Sequence, residues 1–132
     1  MDLSRVEMLV GAEALEKIKN AKVCVIGLGG VGAYAAEALV RSGIGTMRII
    51  DGDVVEASNI NRQLPALHST IGKSKADVMA ARFRDINPEC KLETLNAFYK
   101  AGDFADFFDS SFDYVVDAID DVQAKVDILA SC

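Results

Sequence analysis

Four of the ten glycines in this 132-residue sequence fall within six consecutive positions. They are Gly27, Gly29, Gly30 and Gly32, and the segment matches the pattern G-x-G-x-x-G. In this pattern the first glycine permits a tight turn, the second lets a phosphate approach the backbone, and the third lets a helix pack against a strand. A helix that starts here would also present free N–H groups to an anion. The alternative is a glycine turn that only closes a strand–helix unit.

The glycine segment is followed by an acidic residue whose distance from it along the chain suggests a binding role. Asp51 lies 19 residues after Gly32, at the end of the predicted second strand. In dinucleotide-binding folds a carboxylate at this position hydrogen-bonds a ribose hydroxyl. The alternative is that Asp51 only begins a turn before Gly52. On these residues alone, a domain that binds NAD and a domain that binds ATP fit equally well.

The segment after Asp51 is long for a connection between a strand and a helix, and long loops in compact domains are often functional. It contains Arg62, Lys73 and Lys75 in a chain whose formal net charge is −6. Arginine binds phosphate oxygens with paired hydrogen bonds and lysine acts as a mobile point charge, so these residues favour a triphosphate over a diphosphate. A solvated polar loop is the alternative. The same segment also contains the polar residues Asp53, Ser58, Asn59, Asn61, Gln63 and His68.

Two adjacent carboxylates, Asp120 and Asp121, follow the predicted fourth strand. Strands one and four should be neighbours where the strand order reverses, which places both carboxylates near Gly30. Together with phosphate oxygens they could hold Mg²⁺, a hard cation that prefers oxygen ligands. The alternative is that one of them caps the N-terminus of the last helix.

Hydrophobic periodicity predicts that strands and helices alternate along the chain. The predicted strands cover residues 22–26, 46–50, 91–95 and 113–118, and the predicted helices cover 31–42, 73–86, 103–108 and 121–131. An N-terminal helical segment over residues 1–20 should break near Gly11. We therefore predict an α/β fold: a Rossmann-like, three-layer α/β/α arrangement with a mainly parallel sheet of order 3-2-1-4, truncated after the fourth strand and its helix. Residues 1–132 would form one nucleotide-binding domain.

Composition excludes several classes of protein. An apolar content of 51% excludes a disordered chain. No apolar run approaches the ~20 residues that span a bilayer, and the N-terminus lacks the apolar stretch of a signal peptide, so we expect a cytoplasmic protein with no membrane partner. Cys24, Cys90 and Cys132 have no CxxC spacing, which predicts neither a zinc knuckle nor a redox pair. The acidic charge disfavours unspecific binding to nucleic acid.

Taken together, these segments resemble the UBA/ThiF superfamily of ATP-dependent adenylating enzymes, which includes ubiquitin-activating enzymes and the thiamin and molybdopterin sulfur-carrier activators. The segments that carry the resemblance are Val25–Gly32, Ile50–Asp53, Ser58–Gln63, Gly72–Lys75 and Val116–Asp120. Three further segments are similar to one subgroup, the tRNA threonylcarbamoyladenosine dehydratases, which use ATP to cyclise a hypermodified adenosine of certain tRNAs. Those segments are 61–69, 76–80 and 86–90.

The resemblance implies ATP and Mg²⁺ as cofactors. The implied nucleotide contacts are Gly27, Gly29, Gly30, Gly32, Asp51, Asp53, Ser58, Asn59, Asn61, Arg62, Gln63, Lys75, Asp120 and Asp121. Among the implied catalytic residues, Arg62 faces phosphates, Lys75 neutralises charge near the α-phosphate, and Asp120 binds Mg²⁺. A substrate carboxylate attacks the α-phosphate and pyrophosphate leaves, which requires charge neutralisation more than acid–base groups. Arg5 matches an arginine that reaches the partner subunit's ATP in dimeric relatives, which implies a homodimer.

Members of the superfamily continue well beyond the position that matches Cys132. We therefore expect an N-terminal part of a longer enzyme, inactive alone because the substrate-binding half is missing. The implied substrate is a carboxylate, on a modified tRNA or at the C-terminus of a sulfur-carrier-type protein. The uncovered edge of the fourth strand predicts self-association. Two alternatives remain open, an NAD(P)-binding oxidoreductase domain and a non-catalytic nucleotide-binding module.

Overall fold

Four strands separated by helices organise the chain, and the computed structural model describes residues 1–132. The elements are α1 (Ser4–Val10), α2 (Ala12–Asn20), β1 (Lys22–Ile26), α3 (Gly32–Arg41), β2 (Thr46–Ile50), α4 (Lys75–Ile86), β3 (Lys91–Leu95), α5 (Phe104–Phe107), β4 (Tyr114–Asp117) and α6 (Val122–Ser131). Each strand end lies within one residue of its predicted position. The predicted break at Gly11 is the boundary between α1 and α2.

The strands form one parallel sheet with the order β3-β2-β1-β4. Val25 in the central strand β1 lies opposite Ile49 of β2 on one side and Val116 of β4 on the other. Apolar runs such as Lys22–Ile26 suit this position because helices cover both faces of a parallel sheet. The predicted Rossmann-like fold and strand order are thus confirmed.

Two apolar layers hold the helices on opposite faces of the sheet. On one face α3 and α4 pack against β1 and β2, with Val25, Met47 and Phe83 in the shared core. On the other face Ile26 and Ile50 pack with α6 and a group of aromatic side chains. Cys24 belongs to this second core, where burial raises the pKa of its thiol to about 12. Cys24 is therefore an unreactive core residue.

A charged cluster fastens α3 to α4. The Glu37 carboxylate accepts hydrogen bonds from Arg41 on its own helix at 2.9 Å and from Arg82 of α4 at 2.6 Å. The hydrogen bond from Arg82, together with that from Arg41 and the charges of both, holds the pKa of Glu37 below its usual range. This cluster fixes the direction of α4, whose first residue is Lys75.

Strand β4 forms one edge of the sheet. Tyr114 at its start is 72% exposed, and Val115 and Val116 are half-buried. Self-association through this edge stays a prediction. None of the helices has the length and apolar character that crossing a lipid bilayer requires.

Candidate nucleotide-binding site

The glycine segment forms the tight turn between β1 and α3. Gly27 has a positive φ of 92°, and a Cβ atom there would lie 2.7 Å from the carbonyl oxygen of Ala118. A Cβ atom on Gly32 would overlap the carbonyl oxygen of Gly27. The first and last glycines of the pattern are thus required by the packing of β1, β4 and α3 against one another.

The two middle glycines are not required by the protein's own packing. A Cβ atom on Gly29 would meet nothing closer than Gln63 Nε2 at 3.6 Å, and one on Gly30 nothing closer than the Arg62 carbonyl oxygen at 3.8 Å. The space above this turn is therefore open. Backbone N–H groups at the start of α3 face an anion in such a position.

A cleft of about 460 Å³ lies beside this turn, at the carboxyl ends of the strands. Ligands of open α/β sheets bind at this end, where the strand order reverses. The predicted site residues that line the cleft are Gly27, Gly29, Asp51, Asp53, Gln63, Lys75, Asp120 and Asp121. Residues predicted from four separate segments thus meet in one place.

Lys75 brings a positive charge to this cleft on a largely buried side chain. The residue is only 6% exposed, and its backbone N–H donates to the Asp53 carbonyl at 3.0 Å. Its ammonium group has a single charged neighbour, the Asp53 carboxylate at 3.8 Å, and makes no hydrogen bond within the chain. Burying a charge is costly unless it is paired and hydrogen-bonded. The arrangement therefore suits a ligand that supplies anionic oxygens.

Asp51, which follows the end of β2, accepts a hydrogen bond from the glycine turn. One carboxylate oxygen accepts a hydrogen bond from the backbone N–H of Leu28 and the other from that of Asp53, both at 2.7 Å. The carboxylate thus fixes the turns on both sides of the cleft. Each oxygen keeps a further lone pair, so binding of a ribose hydroxyl stays a prediction for Asp51.

The two carboxylates after β4 differ in their bonding. Asp121 accepts a hydrogen bond from the N–H of Ala124 at 3.1 Å and caps α6, in agreement with the alternative drawn from the sequence. Asp120 is exposed at the cleft and has no hydrogen bond or ion pair within the chain. No group of three or more His, Cys, Asp or Glu side chains converges on a metal position. A Mg²⁺ held by Asp120 would therefore take most of its ligands from phosphates and water, as this ion often does.

Two polar side chains of the loop over residues 57–63, Arg62 and Asn59, already have hydrogen-bond partners within the chain. The guanidinium of Arg62 donates to the Ser58 carbonyl at 3.0 Å and to the Asn61 side-chain oxygen at 2.8 Å, and it does not line the cleft. The side-chain oxygen of buried Asn59 accepts from the Glu56 N–H at 2.9 Å. Phosphate binding by this loop stays a prediction, and for Arg62 it requires the guanidinium to turn towards the cleft.

Two further predicted residues differ in their relation to the cleft. Gln63 lines it, and its side-chain oxygen is buried without a hydrogen-bond partner. Arg5 lies exposed on α1 and is not part of the cleft lining. Its neighbour Leu3 packs near Gly43, which precedes β2 at the opposite end of the sheet. A contact of Arg5 with a partner subunit's nucleotide stays a prediction.

One wall of the cleft was missed from the sequence. Ala97, Phe98, Tyr99 and Lys100 line it, directly after β3. Their position at the carboxyl end of a predicted parallel strand was one signal in the sequence that could have identified them as site residues. The adjacent aromatic residues Phe98 and Tyr99, in a chain with 7% aromatic residues, were a second signal.

The sheet order, the glycine turn and the cleft define a Rossmann-like α/β domain. The family model of the ThiF family matches residues 3–132, and the chain belongs to that family. A tRNA threonylcarbamoyladenosine dehydratase of Bacillus subtilis is 49% identical over 129 residues, which are 98% of this chain and 51% of that protein. A molybdopterin-synthase adenylyltransferase of Haemophilus influenzae is 30% identical over 123 residues, 93% of this chain and 50% of that protein.

A solved structure shows the same similarity in three dimensions. The Escherichia coli tRNA N6-threonylcarbamoyladenosine dehydratase in complex with ATP superposes with a TM-score of 0.95 at 43% identity, over 98% of this chain and 54% of that one. Another structure of that enzyme is in complex with AMP. The chain thus spans about half the length of the curated relatives that it matches.

Proposed function

We propose that this chain is the ATP-binding part of an enzyme that activates a carboxylate as an acyl-adenylate. The observation that carries the proposal is Lys75, whose side chain is largely buried and whose ammonium lies at the cleft beside the open glycine turn without a hydrogen bond of its own. The Escherichia coli relative in complex with ATP and with AMP supports a nucleotide as the ligand. ATP and AMP are the reactant and the final nucleotide product of such an activation.

We further propose that the activated carboxylate belongs to threonylcarbamoyladenosine in tRNA. Identity to the Bacillus subtilis dehydratase is 49%, against 30% for the molybdopterin-synthase adenylyltransferase, which favours tRNA over the C-terminus of a sulfur-carrier protein. Attack of the carboxylate forms a bond from its oxygen to the α-phosphorus and releases pyrophosphate. The activated carbonyl then closes a ring and releases AMP, so that the net change in the adenosine is loss of water.

Each lining group has a place in this proposal. Gly29 and Gly30 leave room for phosphates at the N-terminus of α3, and Asp51 lies where a ribose hydroxyl would bind. Lys75 would neutralise charge that builds up on the α-phosphate during attack. Preorganised positive charge of this kind is a large contribution to such catalysis. No acid–base residue is needed for the first step, because a carboxylate is already a nucleophile at neutral pH.

Further groups complete the proposed site. Ser58, Asn59, Asn61 and Arg62 would close over the triphosphate, with the guanidinium of Arg62 moving from Ser58 to a phosphate. Asp120 would hold Mg²⁺, which supplies positive charge to the phosphate oxygens when bound. Arg5 would reach the nucleotide of a second subunit in a homodimer, since it does not line the cleft of its own chain.

Calorimetric titration of the 132-residue chain with ATP–Mg²⁺ and with NAD tests the proposal. We expect binding of ATP and no binding of NAD at the same concentrations. Arg62→Ala should weaken ATP binding by roughly tenfold, the effect of losing one charge-assisted hydrogen bond. Tight NAD binding that is indifferent to Arg62→Ala would contradict the proposal and favour an oxidoreductase domain.

A further inference from the structure

The loop after β3 forms the wall of the cleft that lies farthest from the glycine turn. The strand order places this loop beyond Asp51, on the side away from β1. In the proposed function the phosphates bind at the glycine turn and the ribose at the end of β2, so the base would extend towards this wall. Phe98 is 58% exposed here, and its ring lies flat against Gly52, where an added Cβ atom would come within 2.7 Å of three ring carbons.

A partly buried hydrogen bond joins this wall to α6. The Tyr99 hydroxyl donates to an oxygen of the Asp127 carboxylate at 2.5 Å, and the backbone N–H of Gly102 donates to the same oxygen at 3.1 Å. Tyr99 is 6% exposed, and its ring packs against Phe107 and Phe108 at centroid distances of 5.6 and 5.9 Å. Burial, followed by the hydrogen bond to Asp127, raises the pKa of Tyr99, so the hydroxyl stays a donor at neutral pH.

The N-terminus of α6 also contributes to the opposite wall of the cleft. Asp121 lines the cleft and caps α6 through the N–H of Ala124. Further along, Lys125 binds Asp117 at the end of β4 at 3.0 Å, and Ile128 is buried in the core. Helix α6 is thus held by an ion pair at the end of β4 and by the apolar core that it shares with Tyr99. The polar contacts between the loop and α6 are the hydrogen bonds that Asp127 accepts from Tyr99 and Gly102, and the bond from Tyr99 is the shorter of the two.

We propose that Tyr99 and Asp127 are positioning residues for the nucleoside part of the bound nucleotide. By holding residues 97–102 against α6, they preform the wall that the base contacts, and Phe98 is the side chain presented to the base. The proposal rests on the proposed function, since it assumes that the cleft binds a nucleotide. Preforming a binding surface strengthens binding, because no free energy of binding is then spent on ordering the loop. The phosphate side, built on the glycine turn, does not depend on this contact.

The test compares ligands with and without a base. Tyr99→Phe removes only the hydroxyl, and Tyr114→Phe is a matched control because Tyr114 is exposed on β4 and makes no side-chain hydrogen bond. Binding of ATP, AMP and inorganic tripolyphosphate is measured by calorimetry for each chain. We expect Tyr99→Phe to weaken ATP and AMP by roughly tenfold, the range for one hydrogen bond to a charged group. Tripolyphosphate should change by less than about twofold, and Tyr114→Phe should leave all three unchanged.

A second variant covers the case in which Tyr99→Phe does not fold. Asp127→Asn keeps an acceptor oxygen but removes the charge, so it should fold and weaken ATP and AMP binding in the same ligand-selective way. The effects of the two changes on ATP binding should be less than additive in the double variant, because Tyr99 and Asp127 are partners in one hydrogen bond. Unchanged ATP affinity, or equal weakening of tripolyphosphate, overturns the positioning role. A wild-type chain that binds none of the three ligands refutes the proposed function, and the positioning role with it.

Discussion

Replacement of Lys75 by methionine should weaken ATP binding while leaving the stability of the fold nearly unchanged. Methionine keeps an unbranched side chain of similar length, so the buried stem of Lys75 retains most of its packing. What disappears is the ammonium group, whose one charged neighbour is Asp53 at 3.8 Å. The change therefore removes a charge that the fold itself uses little. Lys73→Met is the matched control, because Lys73 is exposed two positions earlier and lies outside the cleft lining.

The expected effects on stability and on binding differ in size. The Asp53 carboxylate is 60% exposed, so its ion pair with Lys75 contributes at most about 0.5 kcal/mol. The charge sits on a largely buried side chain and makes no hydrogen bond within the chain, so its removal offsets that loss. We expect the free energy of unfolding to change by less than about 1 kcal/mol. A hydrogen bond from the ammonium to a phosphate is worth about 1.5–3 kcal/mol. Its loss should weaken ATP binding roughly ten- to hundredfold.

Urea denaturation and calorimetry of the same protein samples measure the two effects. We expect Lys75→Met to unfold at nearly the wild-type urea concentration and to bind ATP much more weakly. Lys73→Met should match the wild type in both measurements. The reasoning is refuted if Lys75→Met lowers the free energy of unfolding by more than about 2 kcal/mol while ATP affinity is unchanged, since Lys75 would then be a structural residue.

Two further predictions concern the glycine turn and the α3–α4 cluster. Gly32→Ala should destabilise the fold by about 3 kcal/mol in urea denaturation because its Cβ overlaps a backbone carbonyl, whereas Gly30→Ala should fold normally and weaken ATP binding. Glu37 has a lowered pKa in the fold, so its contribution is complete above the ordinary glutamate pKa of 4.5 and is lost as the pH falls through the lower folded pKa. The stability difference between wild type and Glu37→Gln should be about 1 kcal/mol at pH 7 and should shrink as the pH falls through the lowered pKa of Glu37; a difference that does not change with pH would contradict the assignment.

The sheet could be predicted from the sequence because its signals are local. A short apolar run ending in glycines identifies β1, and the motif spacing then places α3 and Asp51. The same locality explains why a helix cap could be offered as the alternative for Asp120 or Asp121, since an aspartate before a helix is a frequent cap. The structure shows that cap at Asp121. Strand order followed from the handedness of the crossovers, which is nearly invariant.

The missed parts of the site depend on contacts that no local pattern specifies. The partner of Tyr99 is Asp127, 28 residues later on another helix. The guanidinium of Arg62 bonds to the carbonyl of Ser58, a geometry set by the path of the loop. Residue types predicted which side chains could bind phosphate. They could not predict which of those side chains the loop would use for its own hydrogen bonds.

The charges of the cleft explain why ATP and Mg²⁺ are proposed together. Four carboxylates but only two lysines line a cleft proposed to bind a triphosphate. Three of these carboxylates are engaged: Asp51 accepts two backbone N–H groups, Asp121 caps α6, and Asp53 faces Lys75. Asp120 alone has no partner within the chain, so by itself it would repel the phosphates. We propose that a divalent cation held by Asp120 would offset this repulsion, because it would supply positive charge next to the phosphates. The acidic character of the chain is thereby compatible with a polyanionic ligand.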